Sequence, residues 1–284
     1  ARAARKPVVI VKGGATPASA NAVVAHTGAL AGEDRVWDAI FREQAVIRAY
    51  SQEELLDLVM FLSGCEADKL PKGNGVAVLT FGGGSGVLAA DQAARSGLTI
   101  PALEATSQER LRPLVPPIAS LINPIDLTPD TYNRPEWLAR FAQALDVIAA
   151  DPNIHTVLFQ CGATAHRAQE MVDHVCALRR RTEKMVCVAW TLPPRVALER
   201  LPVEGVYPFP DPARAVNVIA QVVRYRAALE RAVRPRATDP CGSERPFDWS
   251  GLVSQFPAGA VVPEHHCHRI LAAAGLPIAS GQLA

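Results

Sequence analysis

The sequence predicts an α/β protein built around a doubly wound parallel sheet. Three observations carry this. Runs that are apolar almost throughout, such as Val76-Ala77-Val78-Leu79-Thr80-Phe81, read as strands buried on both faces. Longer stretches with apolar residues at helical spacing separate them. A glycine cluster, Gly82-Gly83-Gly84-Ser85-Gly86, directly follows one such strand, where open parallel sheets place their ligand-binding turns.

Taken in order, the chain opens on Ala1-Arg2-Ala3-Ala4-Arg5-Lys6, which reads as the tail of a helix. Residues 7–12 (PVVIVK) are β-branched and end at Gly13-Gly14, a strand followed by a loop. A loop of small residues around His26 leads to a helix over 33–44, with Val36, Ile40, Phe41 and Ala45 on one face. A second helix is expected over 51–62, opened by the capping box Ser51-Gln52-Glu53-Glu54. Residues 64–74, with Pro71-Lys72-Gly73-Asn74, read as a linker.

A second unit starts at Gly75. Its expected strands are 76–81, 98–100, 155–160, 185–190 and 206–207. Its expected helices are 87–96, 107–114 (stopped by Pro116-Pro117), 135–150, 165–181, one starting near Pro194, and 212–231. The segment Asn123-Pro124-Ile125-Asp126-Leu127 reads as a loop. Five strands so spaced suggest a flavodoxin-like order. Residues 234–243, with Pro235, Pro240 and Gly242, read as a linker. A last helix over 265–274 is closed by Gly275-Leu276-Pro277. The flavodoxin-like fold is expected to be truncated at both ends.

The 284 residues suffice for one large domain or two smaller ones. Hydrophobic residues make up 49% and charged residues 20%, a globular balance. The formal net charge of +1 favours neither nucleic acid nor an anionic membrane as partner. No apolar run approaches the roughly 20 residues of a transmembrane helix. The six cysteines are scattered without a CxxC pair and read as reduced thiols of a cytoplasmic protein.

Three segments invite chemistry, each with a plainer alternative. In Gly82–Gly86, glycines allow close backbone approach, and the following helix offers unpaired N–H groups and the positive end of its dipole. That makes a phosphate cradle, or else a tight strand-to-helix turn with no ligand. It is neither a Walker A loop nor a GxGxxG fingerprint. His26, within Ala25-His26-Thr27-Gly28-Ala29-Leu30-Ala31-Gly32, is a possible phosphoryl-accepting nucleophile, or a histidine in a flexible turn. Glu264-His265-His266-Cys267-His268 has pairs at metal-ligand spacing, but fits an ordinary amphipathic helix, and no metal site is assigned.

The order Lys-Gly-Gly, the His26 segment, Thr80-Phe81-Gly82-Gly83-Gly84-Ser85-Gly86-Val87-Leu88-Ala89-Ala90-Asp91 and Asn123-Pro124-Ile125-Asp126-Leu127 resembles the nucleoside-diphosphate-forming acyl-CoA synthetases. These include the ADP-forming acetyl-CoA synthetases and are relatives of succinyl-CoA synthetase. Residues 264–277 resemble the opening helix of that family's ATP-grasp domain. The resemblance implies an acid–CoA ligase that interconverts acyl-CoA, phosphate and ADP with acid, CoA and ATP. His26 matches the phosphohistidine, and Gly83, Gly84, Ser85 and Gly86 match a phosphate-binding turn. It implies ATP or ADP with magnesium as cofactors, CoA as substrate, and as partners other domains or subunits of the same enzyme, including further copies in a homo-oligomer. It divides the chain into a part-domain carrying the histidine loop (1–66), a complete flavodoxin-like domain (73–231), a linker (232–244) and the start of an ATP-grasp domain (245–284). On that reading the CoA and nucleotide sites lie mostly outside the chain, and the fragment alone is inactive. Two positions depart from the pattern: Ala25 stands where the family has Ser, and Phe81 where Asn is common. Two rival functions use the same modules: an acyl-CoA-sensing part of a lysine acetyltransferase, and a non-catalytic interface module.

Overall fold

A computed structural model describes residues 4–16, 18–19, 22–23, 33–163, 165–231, 248–257 and 259–278. The chain divides into two compact units, residues 1–231 and 232–284.

The first unit is ordered along the chain as β1 (Val9–Val11), α1 (Asp34–Glu43), β2 (Ile47–Ala49), α2 (Gln52–Ser63), β3 (Val76–Thr80), α3 (Gly83–Arg95), α4 (Ala105–Leu111), β4 (Ile125–Asp126), α5 (Asp130–Asn133), α6 (Pro135–Ala150), β5 (Thr156–Cys161), α7 (Ala168–Arg181), β6 (Met185–Trp190), α8 (Arg195–Arg200), β7 (Pro208–Phe209) and α9 (Pro212–Glu230). Five strands form one parallel sheet in the order β4-β3-β5-β6-β7. Numbered within that sheet, this is 2-1-3-4-5, the flavodoxin order. β3, β5 and β6 are buried at every position. Their apolar runs therefore face helices on both sides. One core packs α6 and α7 on one face through Phe141, Leu145, Ile148, Met171 and Val175. The other packs α3 and α9 on the opposite face through Ala89, Ala93, Val216 and Ile219.

The structure corrects the expected elements at several places; the last strand, expected at 206–207, is Pro208–Phe209. Residues 98–100 form no strand; only Thr99 makes an isolated bridge, to Gly75. The sheet's second strand is Ile125–Asp126, inside the segment read as a loop, paired with Leu79 and Thr80. A strand at Ile47–Ala49, absent from the expectation, pairs in parallel with β1. The glycine cluster is also not a loop ahead of a helix at 87. The helix starts at Gly83, with Gly82 as N-cap.

Local chemistry explains several ends. Ser51 caps α2 by accepting the Glu54 N–H at 3.0 Å, while the Glu54 carboxylate accepts the Tyr50 N–H at 2.8 Å. The second bond of the capping box thus lands one residue earlier than in the usual pattern. Asp211 caps α9 through the N–H groups of Ala213 and Arg214, with Pro212 in the first turn.

Two ion-pair clusters anchor the β1–β2 segment and α2. Arg48, on β2 and 7% exposed, is bound bidentately by Asp34 at 2.8 and 2.9 Å and also by Asp38. Lys12 adds to Asp34 at 3.5 Å. Asp57, on α2 and 2% exposed, receives Arg214 of α9 through Nε at 2.7 Å and Nη2 at 2.6 Å.

Among its described residues the second unit holds two helices, Trp249–Val253 and Glu264–Ala273. Among the described residues five cysteines are free: Cys65, Cys161, Cys176, Cys187 and Cys267. No helix among them is long and apolar enough to cross a membrane.

Candidate phosphate-binding edge of the sheet

Three neighbouring strands end with polar residues in one row. The register pairs Thr80 of β3 with Asp126 of β4 on one side and with Gln160 of β5 on the other. This row lies at the carboxyl edge of the sheet, where open α/β folds bind ligands. Thr80 is 1% and Gln160 2% exposed, so both need internal partners. The Thr80 hydroxyl accepts the Gly82 N–H at 3.1 Å, with Gln160 Oε1 and the Gly82 carbonyl both 2.9 Å away for its own proton. Ser85 lies 2.6 Å from the same Gln160 oxygen and 3.0 Å from the Gly82 carbonyl. Gln160 is held in turn by its Nε2, which donates to the Cys161 carbonyl at 3.2 Å.

This network fixes the turn above it. Gly82 is extended, and α3 begins at Gly83 with no side chain capping its first N–H groups. Those groups lack intrahelical partners by geometry and carry the positive end of the helix dipole. A Cβ added at Gly82 or Gly84 would meet no heavy atom within 4 Å. The exposed face of the turn is therefore open space bordered by backbone donors. Gly86 is different: its Cβ would lie 3.1 Å from both Pro124 Cβ and Thr80 Cγ2. Gly86 thus lets α3 lie close on β3 and on the Asn123–Pro124 segment, whose peptide bond is cis. The Ser85 proton is directed to Gln160 or Gly82, so the anion donors here are backbone N–H groups.

One charge opposes an anion at this edge. Asp126 Oδ2 would be 3.4 Å from a Cβ on Gly83, and its Oδ1 accepts the Thr128 N–H at 3.0 Å. Thr128 adopts a left-handed φ of 59° and has a buried hydroxyl without a hydrogen-bond partner among the described residues. Beneath the turn, Phe81 packs its ring against Tyr132, Phe141 and Phe159, with centroids 5.0–5.9 Å apart. Burial pushes the Cys161 thiol far up, so it stays protonated and is no nucleophile.

Known proteins share these parts. Residues 1–62 match the succinyl-CoA ligase like flavodoxin domain, and residues 76–187 match the ligase-CoA domain. The α subunit of the ADP-forming acetate–CoA ligase I of Pyrococcus furiosus is 28% identical over 78% of this chain and 47% of its own length. The ADP-forming acetate–CoA ligase I of Archaeoglobus fulgidus is 33% identical over 78% of this chain and 31% of its own. The chain belongs to the ADP-forming acyl-CoA synthetase family.

A solved family structure, the acetyl-coenzyme A synthetase 1 of Ca. Korarchaeum cryptofilum in complex with phosphate and ADP, superposes with a TM-score of 0.65. It is 26% identical and covers 79% of this chain and 48% of the solved chain. The chain therefore spans under half the length of these family members. Within it, the structure brings Gly83, Gly84, Ser85 and Gly86 together at the N-terminus of α3. His26 lies outside the described residues. Glu264 and His268 face each other at 3.8 Å on the last helix, and the His265 and His266 rings lie 4.2 Å apart. Among the described residues no group of three or more His, Cys, Asp or Glu is arranged to hold a metal. The glycine pattern does not point to Gln160 or to the bracing role of Thr80; their sequence signal is a polar residue near the carboxyl end of an apolar strand, visible in VAVLT and TVLFQC.

Proposed function

We propose that the whole protein is an acid–CoA ligase that forms or consumes a nucleoside diphosphate, and that this chain supplies its phosphoryl-carrying part. In the proposed reaction, phosphate displaces CoA from an acyl-CoA to give an acyl phosphate. A ring nitrogen of His26 then attacks phosphorus; the P–O bond to the acyl group breaks, and the acid leaves as its carboxylate. The phosphoryl group passes from His26 to the terminal phosphate of ADP, making ATP, and His26 is regenerated. Gly83, Gly84, Ser85 and Gly86 hold the phosphate. The observation that carries this is the open, uncapped N-terminus of α3 at the carboxyl edge of the sheet.

The residues present fit phosphate. The space over Gly82 and Gly84 is unfilled, and the turn is braced from below by Thr80 and Gln160. CoA, ADP and magnesium enter the proposed reaction as further components, and no residue of this chain is assigned to them. Residues 1–66 are proposed to belong to the domain carrying His26, residues 73–231 to the domain of the phosphate turn, and 245–284, after a linker at 232–244, to the opening of a nucleotide-binding domain. The partners on this reading are other domains or subunits of the same enzyme.

Incubating the full-length protein with radiolabelled ATP and magnesium tests it. The expected result is an acid-labile, alkali-stable protein-bound phosphoryl group that disappears in His26→Gln. Label that survives this substitution overturns the role of His26.

A further inference from the structure

A cavity of about 470 Å³ lies away from the phosphate turn, between the α1–β2 segment and α9. Its size falls in the roughly 300–1,000 Å³ range of small-molecule sites. It also sits where the segment matched to the succinyl-CoA ligase like domain meets a helix that follows the second matched domain, and such joins are favoured positions for ligands.

The wall has a consistent character. Arg42, Arg48, Arg224 and Arg231 contribute to it, against the carboxylate of Asp38, which is already bound by Arg48. The floor is apolar, from Phe41, Ile47 and Ala227. Tyr50, 71% exposed, stands at the wall with its ring 5.0 Å from the Arg48 guanidinium.

Two buried wall residues are left incomplete. Tyr225 is 3% exposed, and its hydroxyl has no hydrogen-bond partner among the described residues. Arg48 is likewise buried, and its Nε has none, although both Nη atoms are engaged. Between these segments Gln221 donates to the Arg48 carbonyl and to Glu54, both at 3.1 Å. Neither the Tyr225 hydroxyl nor Arg48 Nε has surface open to the cavity, so recognition of a ligand there falls to the arginines of the rim. A cationic rim over an apolar floor calls for a negative head on an apolar body.

We infer that this cavity binds a small organic anion, a carboxylate, sulfonate or phosphate ester carried on an aromatic or otherwise apolar body. The inference does not depend on phosphoryl transfer and concerns a second site.

The test uses the 284-residue chain and two probes of the same shape. One is the anion 1-anilinonaphthalene-8-sulfonate; the other is its uncharged counterpart N-phenyl-1-naphthylamine. The anion is expected to bind saturably with one site per chain, and the neutral probe about tenfold or more weakly. Arg224→Ala and Arg42→Ala are each expected to weaken the anion by about tenfold. Tyr225→Phe is expected to leave the anion's affinity unchanged and the urea unfolding midpoint unchanged or raised, because the lost hydroxyl is unpaired and closed to the cavity. Equal binding of both probes, absence of saturation, or affinity unaffected by Arg42→Ala and Arg224→Ala overturns the inference. Phosphate included as competitor at the concentration that saturates the α3 turn is expected to leave the probe bound.

Discussion

The side-chain amide of Asn123 takes the place of a strand neighbour beside Val78. Its Oδ1 accepts the Val78 N–H at 3.0 Å, and its Nδ2 donates to the Val76 carbonyl at 2.8 Å and the Pro101 carbonyl at 2.9 Å. One amide thus gives β3 the two bonds that a paired strand would give, just before β4 takes over at Leu79. Asn123→Ala strands buried backbone groups and is expected to cost about 2–4 kcal/mol in urea unfolding. Asn123→Asp is expected to cost more, since a carboxylate keeps the Val78 bond but faces two carbonyls. Equal stability of Asn123→Ala and the parent would contradict this role.

The glycines of the α3 turn are expected to separate into two classes. Gly86→Val drives a branched side chain into Pro124 and Thr80 and is expected to destabilise by about 1–3 kcal/mol or more. Gly84→Ala meets open space inside a helix and is expected to be neutral or stabilising by up to about 1 kcal/mol. Paired thermal unfolding curves of the two variants decide the matter, and the reverse ranking refutes the geometry.

Charge at the same turn sets a prediction for anion affinity. Asp126 lies beside Gly83 with a carboxylate that would repel a phosphate at the proposed site. Asp126→Asn is expected to tighten phosphate binding by about 3- to 10-fold, the order of a partly screened pair. Ser85→Ala removes the hydroxyl held by Gln160 and is expected to cost about 1 kcal/mol of stability. Isothermal titration with inorganic phosphate reads the first effect; weaker binding to Asp126→Asn would sink the electrostatic argument.

Arg214 and Asp57 tie α9 to α2 through a two-point contact in which the carboxylate is almost wholly buried. Arg214→Leu leaves that carboxylate without its counter-charge and is expected to cost about 3–5 kcal/mol. Asp57→Asn in the same background is expected to restore part of the loss, because a neutral amide is cheaper to bury. A double-mutant cycle by urea denaturation measures the coupling, and a value near zero is the outcome that rejects it.

Acid sensitivity is expected from two histidines. Burial lowers the pKa of His155, with help from Lys184, and burial also lowers that of His174 despite nearby Asp173 and Glu170. The folded pKa thus lies below the ordinary value of 6.5. The unfolded chain then binds more protons, so stability is full above about pH 6.5 and falls as pH drops below it. Urea midpoints at pH 7 and pH 5 are expected to differ, with the difference reduced in the double variant His155→Asn, His174→Asn. A pH difference as large in that variant as in the parent would place the effect elsewhere.

The sequence by itself determined much of this protein. Continuous apolar runs identified β3, β5 and β6, because a strand covered on both faces must be apolar at every position. Pro135 and Pro212 marked helix starts through local backbone chemistry. The glycine cluster marked the turn at the start of α3, proposed to hold phosphate, because small residues there leave the backbone open. Tertiary structure alone decided which short segment joins the sheet. Thr99 and Ile125–Asp126 are both too short to show a period, and the choice between them rests on hydrogen bonds across the fold to β3. The row Asp126–Thr80–Gln160 has the same origin: register, not sequence neighbourhood, sets three distant polar residues side by side. So has the cavity between β2 and α9, whose walls lie more than a hundred residues apart in the chain and meet only when the β2 segment packs with α9 in one core.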